Sequence, residues 1–317
     1  MPRKPAATTK TKPLVSIICP VYNEAACVPI FFDRLNAALE PLAKTYAFEL
    51  IFTNNASEDE TLELICDIRE NKPWVQVITL SRNFGYQASL TCGLANAAGD
   101  ATVVIDVDCE DPPEMIPKFI AEWEQGFDIV YGERLNRPES GLMLWARRAF
   151  YRLTNAIADN DFIIDMAEFS LFTRAVRESI LDNASTFPFI RNEIAYAGFR
   201  RTAIPYSREM RAAGETHYDI WRMARFAVGG ILTASTFPLR LVLYAGAPLF
   251  GLDLLAAIYA FFSPANHFQA LLFLNLAFIS MALACGALYL ARIYKDGVGR
   301  PLYITDQAKT HLDRPLV

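Results

Sequence analysis

The chain has 317 residues, with 30 Lys and Arg against 35 Asp and Glu and a formal net charge of −5. No long basic stripe runs through it, so nucleic acid is excluded as the expected partner. Six cysteines without a CxxC pair and three scattered histidines exclude a disulfide framework and a zinc site built from histidine, and point to free thiols in a reducing compartment.

Residues 1–13, MPRKPAATTKTKP, are basic and lack an apolar run, so a disordered tail is expected there rather than a signal peptide. LVSIICPVY (14–22) reads as a buried strand, and the stretch that follows, to about Leu42, carries apolar residues at helical spacing. FELIFT (48–53) is a second strand. Ser57 and Glu60 then stand in capping-box spacing, which makes Ser57 the expected N-cap of a second helix. VQVITL (75–80) is a third strand, followed by a third helix from about Tyr86 to Ala98. ATVVIDV (101–107) is a fourth strand. Asp111-Pro112-Pro113-Glu114 is a helix start with Asp111 capping, and DIVYGER (128–134) is a fifth strand.

Apolar strands alternating with amphipathic helices imply an α/β fold with a mostly parallel, Rossmann-like sheet covered on both faces. Ligands bind such sheets beyond the carboxyl ends of the strands. Asp106 and Asp108 lie at such an end, together with Tyr22, Asn23, Glu24, Asn54 and Asn55. Carboxylates crowded there repel one another unless something balances them. Asp106, Asp108 and Glu110, at alternate positions, are oxygen ligands suited to a hard divalent cation, Mg2+ or Mn2+, which commonly shares its coordination with substrate phosphates.

After Arg137 the alternation stops. A helix is expected over 141–158, strands over AEFSLFTR (167–174) and FRRTAIPYS (199–207), and an amphipathic juxtamembrane helix over 216–236, where Trp221, Arg222 and Arg225 suit a headgroup region. Residues 241–262 and 268–291, within an apolar stretch 237–292, are each long enough to cross hydrocarbon. Arg240 precedes them, Arg292, Lys295 and Arg300 follow, and the link SPANH carries no Lys or Arg. The positive-inside rule then sets the main domain (14–215) and the C-terminal tail (293–317) on the cytoplasmic side of a plasma (inner) membrane spanned twice. Asp253, within the first span, needs a polar partner, with Asn275 and Ser280 as candidates. Packing among such hairpins would allow a homo-oligomer.

The segments VSIICPVYNEA, LSRNFGYQASLTCGLANAAGD, VVIDVDCEDPPEMI, DIVYGERLNRPES and REMRAAGETHY, in this order and ahead of the two spans and the closing GRPLYI, resemble the family 2 glycosyltransferases. More narrowly, they resemble the polyprenyl-phosphate glycosyltransferases, the bactoprenol glucosyltransferase and dolichol-phosphate mannosyltransferase group. The resemblance implies a GT-A fold, a nucleotide-sugar donor with a UDP-sugar favoured, a polyprenyl (undecaprenyl) phosphate acceptor and a product used in cell-envelope glycan modification. It implies that Pro20, Tyr22, Glu24 and Asn55 line the nucleotide pocket, with Asp106 near ribose and metal. Asp108 would ligate the metal, and Glu110 stands where the family commonly has a Gln ligand. Arg134 and Arg137 would meet acceptor or donor phosphate and Arg211 the diphosphate, roles that suit the guanidinium fork.

The chain departs from the family at two places. Asn54, Asn55 and Ala56 stand where two aspartates and a glycine are common, although an Asn amide can still accept the proton of a base. Glu168 stands where the family often has an aspartate proposed as catalytic base, with Asp165 nearby as runner-up. A phosphate monoester has a second pKa of about 6 and attacks as a dianion, so positioning and charge stabilisation should outweigh general-base help. A single displacement inverts the anomeric centre. The alternatives are a GT-A transferase with a polysaccharide or glycerolipid acceptor, and an inactive scaffold that binds nucleotide sugars.

Overall fold

The computed structural model describes residues 12–135, 166–182, 188–213, 236–262 and 268–316. The expected helix over 141–158, most of the segment 216–236, and the candidates Arg137 and Asp165 lie outside these residues.

Strands β1 (Leu14–Val21), β2 (Ala47–Asn54), β3 (Val75–Thr79), β4 (Ala101–Val104), β5 (Ile129–Leu135), β6 (Met166–Thr173) and β7 (Arg201–Ser207) form one sheet in the order β3-β2-β1-β4-β6-β5-β7. β1 pairs in parallel with both β2 and β4, β2 with β3, and β5 with β7; β6 alone runs antiparallel, between β4 and β5. The mostly parallel sheet expected from the alternation is therefore present. β4 ends at Val104, three residues short of the predicted strand end, because the chain turns from Ile105 onward into the acidic loop.

Both faces of the sheet are covered, which is why the strands read as unbroken apolar runs. On one face lie α1 (Val28–Leu39), α2 (Thr61–Asn71) and α4 (Ile116–Glu124). α1 buries Val28, Phe31, Phe32, Leu35 and Leu39, the periodicity visible in its sequence. Phe31 meets Phe52 of β2 edge-on at 6.1 Å, and each such ring contributes about 1.5–3 kcal/mol by leaving water. On the other face lie α3 (Tyr86–Ala95), α5 (Arg174–Leu181) and α6 (Ile190–Tyr196). Gly93 lets α3 lie directly on β1, since a Cβ there would come within 2.3 Å of the Ile18 side chain.

Two long helices follow, α7 (Phe237–Phe262) and α8 (Phe268–Val298). Both are long and apolar enough to cross a membrane, and their apolar windows are not buried within the protein. Asn275 Nδ2 donates to Asp253 Oδ1 at 2.7 Å, so the one carboxylate in the first span finds its partner on the second. Gly246 faces Phe278, where a Cβ would sit 3.2 Å from the ring.

Beyond α8 the chain returns to the sheet. His311 and Thr305 form antiparallel bridges with Val77 and Leu80 along the outer side of β3. Arg69 pairs with Asp313 at 2.6 Å, and Arg314 reaches the buried Glu49 at 2.7 Å. An edge strand with bare amides and carbonyls invites association, and this return covers it. All six cysteines are free. Deletion from Tyr303 onward is expected to lower the thermal midpoint in detergent by several degrees and to give concentration-dependent aggregation, read by light scattering; an unchanged midpoint would show that the return adds nothing to the sheet.

Candidate active site

The loops that leave β1, β2 and β4 at their carboxyl ends each contain a non-glycine residue in the left-handed region: Asn23 (φ 55°), Ala56 (φ 59°) and Cys109 (φ 59°). Asparagine tolerates this conformation; alanine pays about 1–2 kcal/mol for it. The first two loops are stitched together. Asn23 N donates to Ser57 Oγ at 3.0 Å, Glu58 N to Asn23 Oδ1 at 2.8 Å, and Glu24 N to Thr61 Oγ1 at 2.8 Å. Ser57 is therefore a clasp between loops and not the N-cap its spacing suggested. α2 begins four residues later, at Thr61, without a side-chain cap.

The acidic loop is held by cations from elsewhere in the chain. Asp111, expected to cap a helix, is instead 1% exposed. It accepts from Arg134 at 3.1 Å and from the Tyr206 hydroxyl. The short turn that follows begins at Pro113 with no side-chain cap. A carboxylate this buried requires a partner, which outweighs its value as a cap. Gly132 makes room for the contact, because a Cβ there would lie 2.5 Å from the Tyr206 ring. The segment after β7 then runs along the loop, with Glu209 N donating to Glu110 O and Ala212 N to Asp108 O, both at 3.0 Å. This brings Arg208 onto Glu110 and sets Arg211 on Glu24 at 2.6 Å and 3.7 Å from Asp108. Arg34 of α1 pins the same segment by pairing with Glu114 at 2.8 Å and Glu209 at 3.0 Å. Arg208 escaped the sequence reading, although its spacing of three residues from Arg211 was available as a signal.

Asp106 accepts from the Tyr86 hydroxyl at 2.8 Å, and Asp108 Oδ1 from the Glu110 amide at 3.1 Å. Burial, with Asp111 and Asp108 adding their charge, pushes Asp106 up to about 7. Burial likewise raises Asp108 and Glu110. These are hard oxygen donors whose ionised form is disfavoured, and a divalent cation would relieve that. Among the described residues no three His, Cys, Asp or Glu side chains are grouped to hold a metal. Glu110, the third expected ligand, is paired with Arg208. Asp106 and Asp108 remain, a donor set that fits Mg2+ or Mn2+ sharing its other positions with phosphate and water.

Pro20 is buried within β1, and Tyr22, beyond its end, is 41% exposed. Asn54 and Asn55 are buried. Asn54 Oδ1 accepts from Ser57 N at 3.0 Å. Asn55 Oδ1 accepts from Phe84 N at 2.9 Å while its Nδ2 donates to Asn83 at 3.0 Å. An amide makes both bonds; an ionised aspartate cannot donate. Val104 of β4 pairs with Ser170 of β6, two residues beyond Glu168, and Glu168 is near enough to Asp106 to act on its charge. Arg191 holds Glu168 at 3.2 Å. Of the candidate residues within the described chain, Glu24, Asp106, Asp108, Glu110, Arg211 and Glu168 converge on one end of the sheet. Arg134 reaches the same end but is engaged with Asp111.

Two consequences are measurable. Ala56→Gly relieves the left-handed backbone and is expected to stabilise the fold by about 1 kcal/mol in a denaturant titration; a destabilised variant would contradict the strain. Asp106 keeps its proton to higher pH in the fold than in the unfolded chain, so without metal the fold weakens as pH climbs from about 4 to about 7 and is level above that. Asp106→Asn in a chelating buffer should therefore match the parent at pH 4 and exceed it at pH 8, by on the order of 2 kcal/mol given the partial exposure. A difference independent of pH would refute this.

Comparison with known proteins identifies the family. The family model described as glycosyl transferase family 2 matches residues 16–197. An uncharacterized glycosyltransferase, YkcC of Bacillus subtilis (strain 168), is 34% identical over 92% of this chain and 93% of its own length. The bactoprenol glucosyl transferase of Shigella phage SfV is 31% identical over 93% of this chain and 99% of its own. Among solved structures, the mannosyltransferase PcManGT from Pyrobaculum calidifontis, in complex with GDP-Man and Mn2+, is 20% identical with a TM-score of 0.44 over 87% of each chain, a likeness too loose to align individual residues. The matched residues take in all but the first two residues of β1, the strands β2 to β6 and the whole acidic loop, and on that extent of sequence the chain belongs to glycosyl transferase family 2.

Proposed function

We propose that this chain transfers a sugar, with inversion, from a nucleotide-sugar donor to a polyprenyl phosphate at the cytoplasmic face of a membrane. The observation that carries the reading is the approach of Arg211 to Asp108, in the same acidic loop as Asp106 at the carboxyl ends of the parallel strands, in a chain that also carries two exposed apolar helices. The name of the bactoprenol glucosyl transferase supports the acceptor class, as does that of the undecaprenyl-phosphate 4-deoxy-4-formamido-L-arabinose transferase of Pseudomonas fluorescens (strain Pf0-1), 33% identical over 83% of this chain. Arg240 in the first turn of α7, Arg292 and Lys295 in the last turns of α8 and Arg300 just beyond it support the cytoplasmic placement of the domain.

In this reading Tyr22 offers its ring to the base and Arg211 turns from Glu24 to the diphosphate. Asp106 and Asp108 would hold Mg2+ or Mn2+, which when bound would supply positive charge against the departing nucleoside diphosphate. Arg134 and Tyr206 keep Asp111 buried and the loop in shape, and Arg137 remains a candidate phosphate ligand. Glu168, paired with Arg191, contributes little as a base, because a phosphate monoester is mostly dianionic near neutral pH.

The test is a screen of UDP- and GDP-sugars against undecaprenyl phosphate with the full-length protein in detergent, reading the lipid product by mass. A polyprenyl phosphosugar formed only with added divalent cation is expected; product in a chelating buffer would remove the metal from the account, and no lipid product with any donor would remove the acceptor. Asp108→Ala should lower the rate by about 10³-fold or more and Glu168→Ala by about 10²-fold or less. An equal or larger loss at Glu168 would make it the base.

A further inference from the structure

A cavity of about 870 Å³ lies between the C-terminal half of α8 and the loop after β3, outside the acidic site. One wall is a single helix face: Ala287, Leu290, Ala291, Tyr294, Lys295 and Val298 recur at helical spacing. The opposite wall is Arg82, stacked over the Phe84 ring at 4.4 Å, and Arg300 closes one end. Three cations thus border an apolar space, and no Asp or Glu lines it. Among the described residues neither Arg82 nor Arg300 pairs with a carboxylate.

Such a lining fits an anionic headgroup followed by hydrocarbon, a chemistry that bilayer phospholipids and the acceptor lipid share. The loop decides between them. Arg82 and Phe84 face the cavity, while Asn83 binds Asn55 at 3.0 Å and the Tyr86 hydroxyl binds Asp106 at 2.8 Å. Tyr86 is four positions after Arg82, so at most about 14 Å of backbone lies between the cavity-lining Arg82 and the tyrosine bound to Asp106. A structural phospholipid has no need of that proximity; a lipid whose phosphate must reach a sugar bound beside Asp106 does.

We infer that this cavity seats the phosphate-proximal isoprene units of the acceptor lipid along α8, with Arg82 and Arg300 offsetting the phosphate charge as it passes toward the acidic site. The inference rests on the lipid-acceptor reading above. It adds residues on the loop after β3 and at the end of α8 to those that select the acceptor, none of them among the residues assigned to the nucleotide.

The experiment uses the full-length protein in neutral phosphatidylcholine nanodiscs, measuring steady-state transfer with undecaprenyl phosphate and, separately, lipid retention by native mass spectrometry without donor. Arg82→Gln and Arg300→Gln should each raise the KM for the lipid about fivefold, with the KM for the nucleotide sugar unchanged. Leu290→Trp, which fills the cavity, should abolish retention of undecaprenyl phosphate. Leu283→Trp, elsewhere on α8 and 68% exposed, should behave as the parent. Unchanged lipid KM and retention in all three cavity variants, with a parent that makes lipid product, would overturn the seat alone. A parent that retains the lipid but transfers nothing to it would instead count against the proposed reaction. If added phosphatidylglycerol displaces undecaprenyl phosphate from the parent but not from Arg82→Gln, the cavity belongs to bilayer phospholipid and the inference fails.

Discussion

Like charges at the carboxyl edge of the sheet are the constraint around which this molecule is organised. Glu24, Asp106, Asp108, Glu110, Asp111 and Glu168 come together where a parallel sheet places its ligands, and left alone they would repel. The chain answers with arginines from distant segments. Arg134 neutralises the deepest acid, Arg208 and Arg211 lie across the loop on the segment after β7, and Arg191 approaches from α6. The compensation is incomplete at Asp106, whose neighbours include a tyrosine and further carboxylates but no arginine within ion-pair distance among the described residues. That residual imbalance is what the proposed divalent ion would relieve.

The same segments that supply charge also supply shape. Backbone bonds from Glu209 and Ala212 fix the acidic loop from outside, and Arg34 fixes that segment in turn. Left-handed residues in the loops after β1, β2 and β4 turn the chain as it leaves each of these strands. Strain and charge are concentrated at one end, while the buried strands and their helices carry ordinary apolar packing.

The sheet was legible in the sequence because parallel strands covered on both faces leave continuous apolar runs, and α1 shows its buried face at a spacing of three and four. Asp106 and Asp108 were legible because two acids after such a run have no structural excuse. What the sequence hid was pairing over long distances. Ser57 matches a capping box, yet Asn23 competes for its hydroxyl from 34 residues away. Asp111 stands before two prolines like a cap, yet Arg134 and Tyr206 claim it. Arg208 carries no local signal beyond its neighbour Arg211. The partnership of Asp253 with Asn275 was readable, because an acid within an apolar helix has few polar groups to choose from.

The way the chain comes back from α8 to the edge of β3 sets a geometric limit. Only six residues, 299–304, separate Val298 from the bridge that Thr305 makes with Leu80. Fully stretched they span about 25 Å. With α8 embedded in a bilayer, the catalytic body is leashed to the place where that helix emerges, and it cannot travel out to meet molecules free in bulk solvent. A leash this short turns a search in three dimensions into one along a surface, and it favours reactants that are themselves confined to that surface.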